Sequence, residues 1–136
     1  MKNFKKMFFA ILGLTLIIAS CNSNHQQSDI NLNNGEKWKV NSEMKPHIEK
    51  GNELLSDFIS TKDKDYKRLA ENLKAQNNYL IKSCTMKGES HDELHKWLHP
   101  HMELIEKLSN ADNIEKAEVI ISELNKSFET YQNHFQ

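Results

Sequence analysis

Cys84, Met86, His91 and His95 crowd into the stretch Cys84-Thr85-Met86-Lys87-Gly88-Glu89-Ser90-His91-Asp92-Glu93-Leu94-His95, a C-x-M-x4-H-x3-H pattern. Two histidines four residues apart stack on one helix face, so their imidazoles can reach a single ion. A thiol and a thioether just before them add soft donors. Thiolate and thioether favour Cu(I), imidazole accepts copper or zinc, and oxygen-loving ions are disfavoured. Asp92 and Glu93 are candidate acceptors for imidazole N–H groups behind the ligands. The spacing departs from the C-x2-C of zinc sites, which ranks copper ahead of zinc.

The chain has 136 residues and 7 histidines, a high number that asks for a reason. His47 lies three residues after Met44, near the start of a helical pattern, and His134 lies close to the last residue. His99 and His101 flank Pro100; one of them is expected to face water, and both, like His25, are expected to be dispensable for an ion. A packing alternative stays open at each position. His91 and His95 can be satisfied core or end-of-bundle histidines, Met44 a core residue, and Cys84 a small buried hydrophobe.

The elements that must position these side chains begin after a leader. Lys2, Lys5 and Lys6 precede an almost wholly apolar run, Met7–Ala19, which closes on Leu16-Ile17-Ile18-Ala19-Ser20-Cys21. A basic start, a short apolar stretch and small residues before a cut describe a secretory signal. The run falls short of the roughly 20 apolar residues of a spanning helix. Its end resembles the lipobox of bacterial lipoproteins, which implies cleavage before Cys21 and acylation of that cysteine. Two or more acyl chains hold a protein stably on a membrane. The expected organisation is a signal peptide over 1–20, a lipidated flexible tether over 21–41 and a folded domain over 42–136. Loss of the three leader lysines takes the formal charge from −1 to about −4. Cys84 is then the one thiol left without lipid, so no internal disulfide can form. Asn22 after the cysteine, rather than the aspartate that retains some such proteins at the inner membrane, favours the outer membrane.

Apolar residues recur at steps of three and four throughout the rest. The spacing predicts helices over about Ser42–Ser60, Asp63–Cys84, His91–Ser109 and Asn113–His134, with Lys87-Gly88 as the break and Pro100 as a kink. The inward faces read as Met44, Ile48, Gly51, Leu55, Phe58 and Ile59; Tyr66, Leu69, Ala70, Leu73, Asn77, Leu80, Ile81 and Cys84; His91, Leu94, His95, Leu98, Met102, Ile105 and Leu108; and Ile114, Ala117, Ile121, Leu124, Phe128, Tyr131 and Phe135. Amphipathic helices joined by short connections bury one core as an all-α, antiparallel up-down-up-down four-helix bundle. That topology gathers one end of every helix: Met44 and His47, Cys84 and Met86, His91 and His95, Tyr131 and His134.

The segment Glu106-Lys107-Leu108-Ser109-Asn110-Ala111-Asp112-Asn113-Ile114-Glu115-Lys116-Ala117, with Leu124-Asn125-Lys126 and Tyr131-Gln132, resembles the soluble periplasmic cytochrome b four-helix-bundle family. The likeness covers about the last 30 residues and, loosely, the first helix. It implies the bundle fold, a periplasmic-side location and heme held between a methionine early in the first helix and a histidine late in the fourth. Met44 stands at the methionine position. Gln132 stands where the histidine would be, and His134 is rotated about 200° from it. A heme-free member with another ligand set is the expectation, and C-x-x-C-H for covalent heme is missing.

Composition excludes several classes. Four glycines supply no phosphate-cradling loop, and the near-zero charge carries no basic patch for nucleic acid. A thiol–imidazole pair without an oxyanion donor set or cleft does not make an enzyme. The expected function is a lipid-anchored envelope protein that binds copper, or zinc, through Cys84, Met86, His91 and His95, with Met44 and His47 next. Its role would be to buffer, sense or hand on the ion to an envelope transport or acceptor protein. The alternatives are a metal-free helical interaction module and a b-type heme protein.

Overall fold

The computed structural model describes residues 29–136. Met1–Ser20, Cys21, His25 and the first part of the expected tether lie outside the described residues.

Four helices make an all-α bundle: α1 (Lys45–Ser60), α2 (Tyr66–Ser83), α3 (Glu89–Ser109) and α4 (Ile114–His134). Each consecutive pair packs together, and α1 also touches α4. Hydrogen bonds link the ends of neighbouring helices. Asn41, just before α1, donates through Nδ2 to the carbonyl of Ser83 at the end of α2. At the opposite end, Lys67 of α2 donates to the carbonyls of Ser109, the last residue of α3, and of Ala111 just beyond it. Among the described residues no helix is long and apolar enough to cross a membrane.

The starts of α2 and α4 carry side-chain caps. Asp65 accepts from Arg68 N and Asn113 from Lys116 N, contacts typically worth about 1 kcal/mol each. The start of α1 differs from expectation. The helix begins at Lys45 with no side-chain cap and with proline in its first turn, where the missing N–H costs little. Ser42 instead sits in the turn before it.

Leu55, Leu73, Leu80, Leu94, Leu108 and Leu124 are fully buried on the four helices, each stabilising the fold by about 1.5–3 kcal/mol through burial. Gly51 lets α1 approach α4, because a Cβ there would meet Phe128 Cζ at 3.2 Å. Ile59, Ile81 and Met102 do not face the core as their spacing suggested; they are 46%, 45% and 38% exposed. On α3 the true inward stripe is Leu94, Trp97, Leu98, His101, Leu104, Ile105 and Leu108. The helix runs on through Pro100, whose ring withholds the N–H that would bond the Lys96 carbonyl.

Residues 29–41, the end of the expected tether, lie along the bundle. Trp38 bridges Phe135 in parallel, with Trp38 N donating to His134 O and Gln136 N to Trp38 O. Val40 is buried in the core. The Asn31 N–H donates to Glu93 Oε2 at 2.9 Å. Burial alone would raise the Glu93 carboxyl, but its bonds to Lys96 and to the Asn31 N–H outweigh that and hold it below the usual range.

Candidate metal centre

The connection from α2 to α3 is the scaffold of the site. Cys84 leaves α2 in extended backbone, φ −70° and ψ 122°, and Gly88 turns the chain at φ +70° and ψ −155°. That conformation is essentially open only to glycine. The Gly88 carbonyl then accepts from both His91 N and Asp92 N, which starts α3. Asn41 clamps the segment from outside. Its Nδ2 donates to Ser83 O at 3.0 Å and its Oδ1 accepts from Thr85 N at 3.3 Å, one on each side of Cys84.

Behind this segment lies a cavity of about 400 Å³ between the start of α1, the end of α2 and the first half of α3. Met44, Cys84, Met86, His91 and His95 line it, with Leu80, Leu94 and Leu98 as its apolar wall. Met44 is 1% exposed, while Cys84, Met86, His91 and His95 are half-buried. Five of the six expected ligand positions therefore face one space. His47 does not. Its ring stacks on Tyr79 with centroids 5.5 Å apart, and its Nδ1 pairs with Gln76 Oε1 at 3.3 Å.

Two residues join the lining that sequence reasoning had set aside: His99, expected to be dispensable, and Met102, expected to face the core. His91, His95 and His99 form a ladder at successive turns of α3. His95 Nε2 lies 3.1 Å from His91 Nε2, and His95 Nδ1 lies 2.9 Å from His99 Nε2. The i, i+4, i+8 spacing was the signal that could have found His99. Burial, and then the neighbouring His91 and His99, lower the His95 pKa despite the opposing effect of Asp92. A neutral imidazole keeps a lone pair for an ion.

His101 is in the core, 1% exposed. Its Nδ1 pairs with Ser127 Oγ at 2.8 Å. The ring stacks on Trp97 at 4.8 Å and meets the edge of Phe128 at 4.7 Å. Trp97, also 1% exposed, donates its indole N–H to Ser127 O at 2.8 Å.

Among the described residues no three His, Cys, Asp or Glu side chains are already gathered around one point as a closed ion site. The imidazoles bond one another instead, and the sulfurs border the same space. Two ligands held 2.0–2.1 Å from one tetrahedral ion stand about 3.3 Å apart, close to the 3.1 Å between His91 Nε2 and His95 Nε2.

Heme fits these residues poorly. Met44 faces a cavity to which α4 contributes no side chain. Gln132 is exposed, and His134 Nδ1 is bonded to the Thr130 carbonyl at 2.8 Å. His134 does not line the cavity that Met44 borders. The chain matches no protein-family model, no curated protein and no solved structure.

Proposed function

We propose that this protein binds a soft metal ion, copper ahead of zinc, in the cavity at the α2–α3 connection. The observation that carries the reading is one cavity bordered by four sulfur side chains, Met44, Cys84, Met86 and Met102, and by the imidazoles of His91, His95 and His99. Thioether and thiolate select Cu(I), and imidazole adds a borderline donor. The apolar wall keeps water from competing for the ion. Binding rather than catalysis is the activity: the protein buffers, senses or passes on the ion. Cys21, acylated after removal of the leader, anchors it to the envelope, with the outer membrane favoured, so that an envelope transport or acceptor protein is the natural partner.

The test is titration of the protein with Cu(I) against a chromophoric chelator, and with zinc. One Cu(I) per chain is expected, lost when His91→Ala and His95→Ala are combined. Met86→Leu should weaken Cu(I) and barely affect zinc, since a thioether is a poor zinc donor. A wild-type chain that binds neither ion overturns the reading. The competing reading, a docking surface without metal, draws on the exposed Ile81 and Met102 at the cavity rim.

A further inference from the structure

We infer that His99 is the residue that positions His95 for the ion, holding the His95 ring by its Nδ1–H while Nε2 faces the metal. The inference rests on the metal-binding reading above and deepens it.

The two nitrogens of His95 are bonded to different neighbours, Nε2 to His91 and Nδ1 to His99. They leave the ring in diverging directions, so an ion can meet only one of them. The sulfur donors decide which. Cys84 and Met86 sit on the segment that runs directly into the first turn of α3, where His91 lies. His99 is eight residues further along, a rise of about 12 Å. An ion held by Cys84 or Met86 together with His91 therefore meets His95 at Nε2. It lies on the far edge of that ring from His99.

Ligation at Nε2 requires a lone pair there, which leaves the His95 proton on Nδ1. Nδ1–H then donates to His99 Nε2, 2.9 Å away. Without an ion the ladder can run in either direction: His95 Nε2–H donating to His91 while His99 donates to His95, or the reverse. Ion binding selects one direction. His99 must then carry its own proton on Nδ1, and the residue is exposed, so water can accept from it. Ligating histidines commonly donate their second N–H to an outer partner that fixes tautomer and ring orientation, and loss of such partners costs 10–100-fold in affinity.

The experiment uses the full-length chain in detergent, with Cu(I) as the probe, and compares wild type, His99→Ala, His99→Gln and the His91→Ala/His95→Ala pair. Helix content and urea midpoint confirm that the variants fold, which an exposed position permits. His99→Ala should bind one Cu(I) about 10–100-fold more weakly. His99→Gln, whose amide oxygen can accept from Nδ1–H, should recover most of the loss. Nitrogen-15 NMR of the Cu(I) protein should show the His95 proton on Nδ1. Unchanged affinity in His99→Ala, or a loss that His99→Gln does not restore, overturns the positioning role. If the paired variant abolishes binding while His99→Ala does not matter, only this inference fails. If wild type binds no Cu(I), the parent reading fails with it.

Discussion

Acidifying the protein should expose the cost of keeping His101 neutral. Burial among Trp97, Phe128 and Ser127 pushes the His101 pKa from 6.5 down to about 3. Above pH 6.5 the folded and unfolded chains both hold this imidazole neutral, and its ionisation contributes nothing to their difference. Between about 6.5 and about 3 the unfolded chain takes up a proton that the folded chain refuses. Stability therefore falls as pH falls through that window, by at most about 1.4 kcal/mol per pH unit. The residue is 1% exposed, so solvent screens little of this. Integration gives about 2 kcal/mol lost at pH 5 and about 3 kcal/mol at pH 4. Those losses are large beside the 5–15 kcal/mol total of a typical domain. Urea unfolding at pH 7, 6, 5 and 4 measures it, with His101→Phe as the reference. Phenylalanine keeps a ring against Trp97 and Phe128 but cannot titrate. The variant should start lower at pH 7, because Ser127 Oγ loses its ring partner, and then decline less steeply with acid. Equal slopes in the two proteins refute the reasoning, as does a His101 ring that titrates near pH 6.5 in NMR.

Two further outcomes are expected. Gly88→Ala should destabilise the fold by about 1–3 kcal/mol and weaken Cu(I), since a positive φ sets the α2–α3 connection. Nothing lies within 4 Å of the added Cβ, so the cost is conformational, and an unchanged urea midpoint would contradict it. Cys21→Ala should release the protein from membranes or leave an unprocessed precursor; a mature, lipid-labelled membrane form of that variant would sink the lipobox reading.

The bundle was legible because each helix repeats apolar residues at three and four, and the breaks at Lys87-Gly88 and Ser109–Asn113 are polar or glycine-bearing. The helix starts were less so. The first helix starts at Lys45 rather than at Ser42, and Asn41 in the preceding turn spends its amide on Ser83 and Thr85 across the bundle. The third helix begins at Glu89, two residues before His91, because the Gly88 carbonyl takes the first helical N–H groups. The stripe on α3 was rotated toward the histidines. Counting His91, His95 and Met102 as inward moves its centre off Trp97, His101 and Leu104, which are buried together with Leu94, Leu98, Ile105 and Leu108. Local spacing gave the helix but not which of its polar-edged faces the neighbours would cover. The same limit applied to His47: its place at the right end of α1 was visible, and its stacking on Tyr79, on another face, was not.

The histidines of α3 show why residue type alone could not assign them. His91, His95 and His99 are four apart and share one flank, whereas His101 is two residues past His99 and so rotated about 200° from it. That rotation carries one imidazole into the core and leaves three at a cavity edge. In the core the ring must stay neutral and uses its hydrogen bond to hold Ser127, whose carbonyl in turn holds Trp97. At the edge each ring can exchange its partner for an ion without leaving a buried polar atom unpaired. The two environments demand opposite things of the same side chain: a fixed neutral form against a choice of tautomers. Replacement of His101 should therefore act on stability and leave the Cu(I) stoichiometry intact, while replacement of His91 and His95 should act on binding and leave the fold in place.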